Sequence, residues 1–200
     1  MKSIVLLLTT GIVALMMSAC TSVEVYQYKY DTALDDVFIK ENADFSGYDS
    51  VIIDDVSVWY PEEFAPSAEN ADKAQANLQK AQLLFRESIS KALSDRYQVT
   101  DKAGKNVLRV SVEFVDLRAA TSTADVPRDL SRYDFKTKPG HITMVSQLFD
   151  SKSGEQLARA ADLGKQQSFG GNGVVDWDAI GSDFDYWASI FSSWMDRIHQ

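Results

Sequence analysis

Two adjacent carboxylates, Asp54 and Asp55, interrupt an otherwise apolar stretch, SVIIDDVSVWY from Ser50 to Tyr60. Paired acids in apolar surroundings are raw material for general acid–base catalysis, because burial raises a carboxyl's pKa towards the working range. In a strand they point to opposite faces, so one of them is expected to approach the interior. The competing reading, an Asp paired with a nearby Arg or capping a helix end, outweighs the catalytic one. Asp176, Asp178 and Asp183 resemble a calcium loop only superficially, since Ile180 stands where an oxygen ligand is needed and no Glu closes the loop. Acids placed at a helix start account for them. Gly170-Gly171-Asn172-Gly173 could cradle an anion, but no Lys-Ser/Thr pair follows it, and a hinge is the simpler reading. Ser153-Gly154 and Gly181-Ser182 lack the second glycine of a nucleophile elbow, leaving His141 to serve any hydrolytic site alone. His141 and His199 are the two histidines and Cys20 the one cysteine, too few for a histidine-rich metal cluster or an internal disulfide. No catalytic, cofactor-binding or metal-binding residue is assigned, and the chain is expected not to be an enzyme.

The cysteine has a different chemistry open to it. Lys2 gives a short positive start, Ile4 to Met17 is apolar except for Thr9, Thr10 and Gly11, and the small residues Ser18 and Ala19 precede Cys20. That is the pattern of a secretory signal, too short to span a membrane comfortably. Met17-Ser18-Ala19-Cys20 resembles the lipobox of bacterial lipoproteins, in which the cysteine thiol is diacylglycerylated before cleavage. The resemblance implies residues 1–19 as signal peptide and lipidation at Cys20, each buried CH₂ adding about 0.8 kcal/mol of anchoring. Thr21 follows where an Asp would resemble an inner-membrane retention signal, so the implied destination is the outer membrane of a Gram-negative bacterium, facing the periplasm.

The remaining chain has to be positioned by an ordinary globular domain. The sequence has 200 residues, 45% hydrophobic and 24% charged, with 20 Lys+Arg against 29 Asp+Glu. A net charge of −9 leaves no electrostatic footprint for a phosphate backbone, which excludes nucleic acid as a partner. Residues 20–45, with Tyr26, Tyr28 and Tyr30 at period two, read as a lipidated tether ending in an edge strand, and 46–200 as a single domain. Ser50 to Tyr60 is rich in β-branched residues and reads as a central strand. Ser67 is placed to cap a long helix running to about Tyr97, whose stripe is Ala71, Ala74, Leu78, Ala81, Phe85, Ile89, Ala92 and Leu93. Leu83 and Leu84 fall off that stripe. Tyr97 to Thr100 is a short strand. Asn106 to Arg118 alternates, with Leu108, Val110, Val112 and Phe114 on one face and Arg109, Ser111 and Glu113 on a wet one. Residues 120–139 form a long loop, and His141 to Phe149 and Gln156 to Leu163 a hairpin about Ser151 to Gly154. The last helix is capped by Asp176, with Trp177, Ile180, Phe184, Trp187, Phe191, Trp194, Met195 and Ile198 within one arc. The expected fold is α+β, a two-layer α/β sandwich with a mixed or antiparallel sheet of about five strands and both long helices on one face.

YDSVIIDDVSVWYPEE (Tyr48 to Glu63), KALSDRYQVTD (Lys91 to Asp101), VLRVSVEFVDLRA (Val107 to Ala119), LFDSKSGEQLARAAD (Leu148 to Asp162) and WDAIGSDFDYWASIF (Trp177 to Phe191) look like the bacterial lipoprotein family known as domain of unknown function 3313. Two departures are Asp55, where proline is expected, and the charged segment Thr121 to Lys138 in place of a small, apolar one. The family has no established activity, so the resemblance carries no catalytic position onto this chain. At the level of fold alone, the element order with its D-x-x-x-G-E turn, Asp150 to Glu155, is similar to the N-terminal domain of TolB and to the curli-secretion lipoprotein.

These readings give two functional expectations from different classes. One is a non-enzymatic protein-interaction or assembly factor of the cell envelope, held to the membrane by the lipid on Cys20 and meeting an envelope protein partner. Trp59, Tyr60, Leu83 and Leu84 are its candidate surface, since aromatics at a strand end beside a Pro-containing loop often anchor partners. The other is a binding module or hydrolase for a small apolar or envelope-derived ligand, using a pocket between helices and sheet near Trp59. No cofactor is expected, and oligomeric state is left open.

Overall fold

The computed structural model describes residues 26–28, 33–59, 67–116, 140–169 and 174–199. Eight strands, β1 (Tyr26–Tyr28), β2 (Asp36–Lys40), β3 (Ser50–Ile53), β4 (Ser57–Trp59), β5 (Gln98–Val99), β6 (Val107–Asp116), β7 (Ile142–Asp150) and β8 (Gln156–Leu163), form one sheet with two long helices, α1 (Ala71–Leu93) and α2 (Trp177–Ile198). The order across the sheet is β1-β2-β8-β7-β6-β3-β5, and β4 continues alongside β6 beyond β3. β3, β4 and β5 lie in parallel pairings, whereas β6, β7, β8, β2 and β1 pair antiparallel. The sheet is therefore mixed, and larger than the five strands expected.

The additional strands come from two sources. The segment read as tether supplies β1 and β2, which pair Tyr26 with Lys40 and Asp36 with Ala161, adding an edge next to β8. The apolar run from Ser50 to Tyr60 is broken after Ile53, so that β3 pairs with Val107 to Val110 and β4 with Glu113 to Val115. Asp54 and Asp55 occupy the break. The strand alternation that would have sent one of them inward does not apply, and both remain at the surface, with 28% and 80% of their side chains exposed.

β6 is the spine of the core. Its inward residues Leu108, Val110, Val112 and Phe114 are all buried. Phe114 stacks on Phe184 of α2 at 4.8 Å and meets Phe85 of α1 edge-on at 5.6 Å, and Phe85 and Phe184 meet each other at 5.5 Å. One aromatic triangle thus fixes both helices on the same face of the sheet. The opposite face is wet only in part. Arg109 is exposed there, but Val115, Thr143 and Val145, on the same side by register, are buried.

α1 begins after a turn of 3-10 helix (Ala68–Asn70), and the Ser67 side chain caps no helical N–H. Its stripe is buried only from Ala81 onward, through Phe85, Ile89 and Leu93; Ala71 is exposed and Ala74 half-buried. α2 starts as expected, with Asp176 accepting from the N–H groups of Asp178 and Ala179. The β7–β8 hairpin closes through Asp150, whose carboxylate accepts from the N–H of Lys152 and Ser153, and through Gly154 at φ +75°. The expected loop at 120–139 and the glycine link 170–173 lie outside the described residues. Among the described residues no helix is long and apolar enough to cross a membrane.

Replacing the shared ring tests whether this triangle is the keystone. Phe114→Ala is expected to destabilise the domain by about 3–5 kcal/mol in urea denaturation, since three packed rings leave little room for collapse. A loss below about 1 kcal/mol would mean that the helices are held elsewhere.

Candidate functional site

The pleat of β8 shapes the site. Gln156–Leu163 presents Ala158, Ala160 and Asp162 to the helix layer, while Arg159 and Ala161 face the other way. Register sets Ala160 between Val37 of β2 and Ser146 of β7, and Ala158 between Ile39 and Leu148. Small side chains on the middle strand, flanked by larger ones, leave a trough. α2 roofs it with Trp187, Ala188, Phe191, Trp194 and Ile198, giving an open-sided cavity of about 770 Å³. From Trp187 to Ile198 the roof runs for about 16 Å at the α-helical rise. Ala33 and Leu34 stand at the cavity, and the Tyr186 hydroxyl donates to the Ala33 carbonyl at 3.0 Å. Ser189, Ser193 and Arg197, at successive turns of α2, form its rim.

α2 is set above this trough by buried acids. The Asp162 side chain is wholly buried and accepts from the Trp187 indole N–H at 2.8 Å and from the Asp35 backbone N–H at 2.9 Å, with the Lys165 ammonium 3.7 Å away. Asp35 reciprocates by accepting from the Leu163 N–H. Burial raises the Asp162 pKa, and the Trp187 hydrogen bond is the foremost influence opposing that rise. One turn before Trp187, Asp183 is also buried and accepts from the N–H groups of Lys165 and Gln166 at 2.7 and 3.2 Å. Its pKa is likewise raised by burial, with those backbone donors acting against it. Gly164 is required beside it, since a Cβ there would collide with the Asp183 carboxylate and crowd the Ile142 carbonyl.

The residues singled out from the sequence separate into structural and surface positions. Asp54 accepts from the Arg109 guanidinium on both oxygens at 2.9 Å, and Asp55 from Arg86 at 3.2 Å, the Asp–Arg pairing that competed with acid–base chemistry. Asp176 is a helix cap, but Asp183 is a core residue and not a helix-start acid. His141 is buried with Nδ1 3.0 Å from the Gly164 carbonyl, so Nδ1 carries the proton and donates. Ser153 belongs to the hairpin turn, and Ser182 donates to the Asp178 carbonyl within α2. Among the described residues no group of three or more His, Cys, Asp and Glu is arranged to hold a metal ion.

Of the candidate partner surface, Trp59 ends β4 opposite Val115 and is half-buried. Leu83 is exposed at 57%, whereas Leu84 packs against the core, so the two leucines do not form one patch. Cys20 and Tyr60 lie outside the described residues, as does the Gly170–Gly173 link. The long loop beside which a pocket is expected lies outside the described residues; among the described residues a pocket opens under the second half of α2, and Trp59 does not line it. Its sequence signal was the run of small residues at Ala158, Ala160 and Ala161 ending in a charged Asp162.

Residues 29–191 match the family described as "Protein of unknown function (DUF3313)", and the chain belongs to that family. Among the curated proteins no match is found. Solved structures that are similar, at low scores, include the following two. One, a PelC dodecamer from Paraburkholderia phytofirmans, is 12% identical and covers 76% of this chain and 96% of its own with a TM-score of 0.37. The other, a DUF4136 family protein from Bacteroides thetaiotaomicron, is 9% identical and covers 88% of this chain and 97% of its own with a TM-score of 0.39.

The buried acids make a pH prediction. A carboxyl whose folded pKa is raised contributes stability that is full below its unfolded value, near 3.8, and is lost as pH rises through the folded value. Asp183→Asn removes that loss. Although the variant is less stable overall, its urea midpoint is expected to fall less than that of the wild type between about pH 4 and pH 7. Parallel profiles would show that the Asp183 carboxyl titrates alike in the folded and unfolded chains.

Proposed function

We propose that this member of the DUF3313 family is an outer-membrane-anchored, periplasm-facing lipoprotein that acts by binding rather than by catalysis. The anchor rests on Met17-Ser18-Ala19-Cys20 and the apolar run before it, with Cys20 as the acylated residue. Binding is supported by the trough under α2, an apolar concavity of a size usual for small-molecule sites.

Two modes of binding fit the tethered domain. In the first, the domain makes protein contacts in envelope assembly or maintenance, through half-exposed Trp59, exposed Leu83 and neighbouring Tyr60. In the second, it is a binding module for a small apolar or envelope-derived ligand. The observation favouring the second is the trough's lining, in which Val37, Ile39, Phe191, Trp194 and Ile198 surround the small floor of Ala158 and Ala160. A hydrolytic variant of that reading requires a nucleophile at the trough. Ser146, Ser189 and Ser193 are the hydroxyls on its wall, and His141 is bonded to Gly164 away from it.

Cys20→Ser tests the anchor. Cells fed labelled palmitate are expected to incorporate label into the wild-type chain and place it in the outer-membrane fraction, and to do neither with the variant. Label retained by Cys20→Ser would contradict the proposal.

A further inference from the structure

The trough is open along one side and roofed by the second half of α2. Its floor runs across four strands, from Val37 of β2 over Ala158 and Ala160 of β8 and Met144 of β7 to Val112 of β6. A mostly apolar cavity of about 770 Å³ suits the hydrocarbon chain of a small amphiphile. Its polar residues are Ser146 on the floor, Arg159 of β8, and Ser189, Ser193 and Arg197 along the rim. Ser189 is occupied in donating to the Tyr186 carbonyl, and neighbouring Asp196 is paired with Arg96 at 2.6 Å. Arg197, at the last turn of α2, makes no ion pair among the described residues. In a chain of net charge −9, an exposed cation at the rim of a mostly apolar cavity complements a monoanion that carries a hydrocarbon chain.

We propose that the trough binds the hydrocarbon chain of a long-chain fatty acid, with the Arg197 guanidinium receiving its carboxylate at the C-terminal end of α2. This deepens the ligand-binding reading, on which it rests, and names its substrate class. The chain lies along Ala158 and Ala160 beneath Phe191 and Trp194, burying CH₂ groups that each contribute to retention. At Trp187 the bond to Asp162 occupies the indole N–H, so that residue meets the cavity through its carbon ring. The position of the membrane anchor is compatible with this supply. Tyr26 pairs with Lys40 beside Ile39, and the six residues from Cys20 to Tyr26 span at most about 20 Å, so an anchored domain keeps the trough close to a source of acyl chains.

The test uses the full chain in isolated outer-membrane vesicles with a photoactivatable diazirine analogue of palmitic acid, followed by peptide mapping. Crosslinks are expected within 187–198, 36–40 and 156–163. Ser193→Trp, which puts an indole over the trough, and Arg197→Glu, which reverses its charge, alter rim residues that folding does not need. Each is expected to reduce crosslinking about fivefold, equivalent to about 1 kcal/mol. Cys20→Ser, prepared in the same way from total membranes, should keep the crosslinks, so that loss of the anchor and loss of the binding site are read separately. Equal labelling in the two rim variants and the wild type would overturn the proposal. Trough labelling that appears only in Cys20→Ser would overturn it too, by showing that the protein's own lipid fills the channel. So would labelling by a diazirine phospholipid as strong as that by the fatty acid.

Discussion

The buried carboxylate of Asp162 ties α2, already seated on the sheet by the Phe114–Phe184 stack, to the strand layer in a defined direction. Left alone, a buried charge is strongly disfavoured, and the protein answers with an indole donor, a backbone donor and a nearby ammonium. Each donor comes from a different part of the chain. The indole belongs to α2, the backbone N–H to the residue leading into β2, and the ammonium to the turn after β8. Satisfying one carboxylate therefore brings together the first and last parts of the domain. Asp183, one turn earlier on α2, repeats the device by ordering the Lys165–Gln166 turn. The first half of α2 is pinned by polar bonds of defined direction. Its second half is held by packing, with Phe45 edge-on to Trp194 at 4.8 Å, and by the Ser192 hydroxyl on the Ala92 carbonyl. Where the pins end and the sheet presents alanines, the trough opens.

The parts of this fold governed by local pattern were legible in the sequence. Alternation in β6 identified its inward face, the Asp176 cap placed the start of α2, and Gly154 marked the hairpin turn. What depends on partners distant in sequence was not. Asp36–Lys40 has no long apolar run, and the sequence offers it only as an edge strand at the end of a tether; that it pairs with Ala158 to Ala161 is decided by tertiary contact. Asp54 and Asp55 end β3 because Arg109 and Arg86 receive them at the surface, and nothing local in SVIIDDVSVWY announces those arginines. Asp162 closes a strand and Asp183 sits within a helix, positions at which an acid ordinarily faces solvent. Only the tertiary arrangement turns both inward.

The candidate site was half visible for the same reason. An apolar space between helices and sheet follows from a two-layer fold, but its location depends on which strand carries small side chains towards the helices. Trp59, one of the features expected to mark the pocket, belongs to β4 at the far side of β6, whereas the trough extends from β2 over β8 and β7 to β6. The aromatic arc of α2 divides accordingly. Ile180, Phe184, Trp187 and Met195 are core residues, and Phe191, Trp194 and Ile198 remain half-buried along the trough. A helix that looked uniformly core-forming thus has a structural half and a half able to receive a ligand.

The account turns on the bond between Asp162 and Trp187, and a double-mutant cycle measures it most directly. Urea denaturation of the wild type, Asp162→Asn, Trp187→Phe and the double variant gives the coupling free of the separate effects of each substitution. A bond to a buried carboxylate predicts a coupling of about 1.5–3 kcal/mol. Additivity within about 0.5 kcal/mol would contradict the account, because the indole and the carboxylate would then contribute independently and the aromatic packing and Asp183 would hold α2 without this bond.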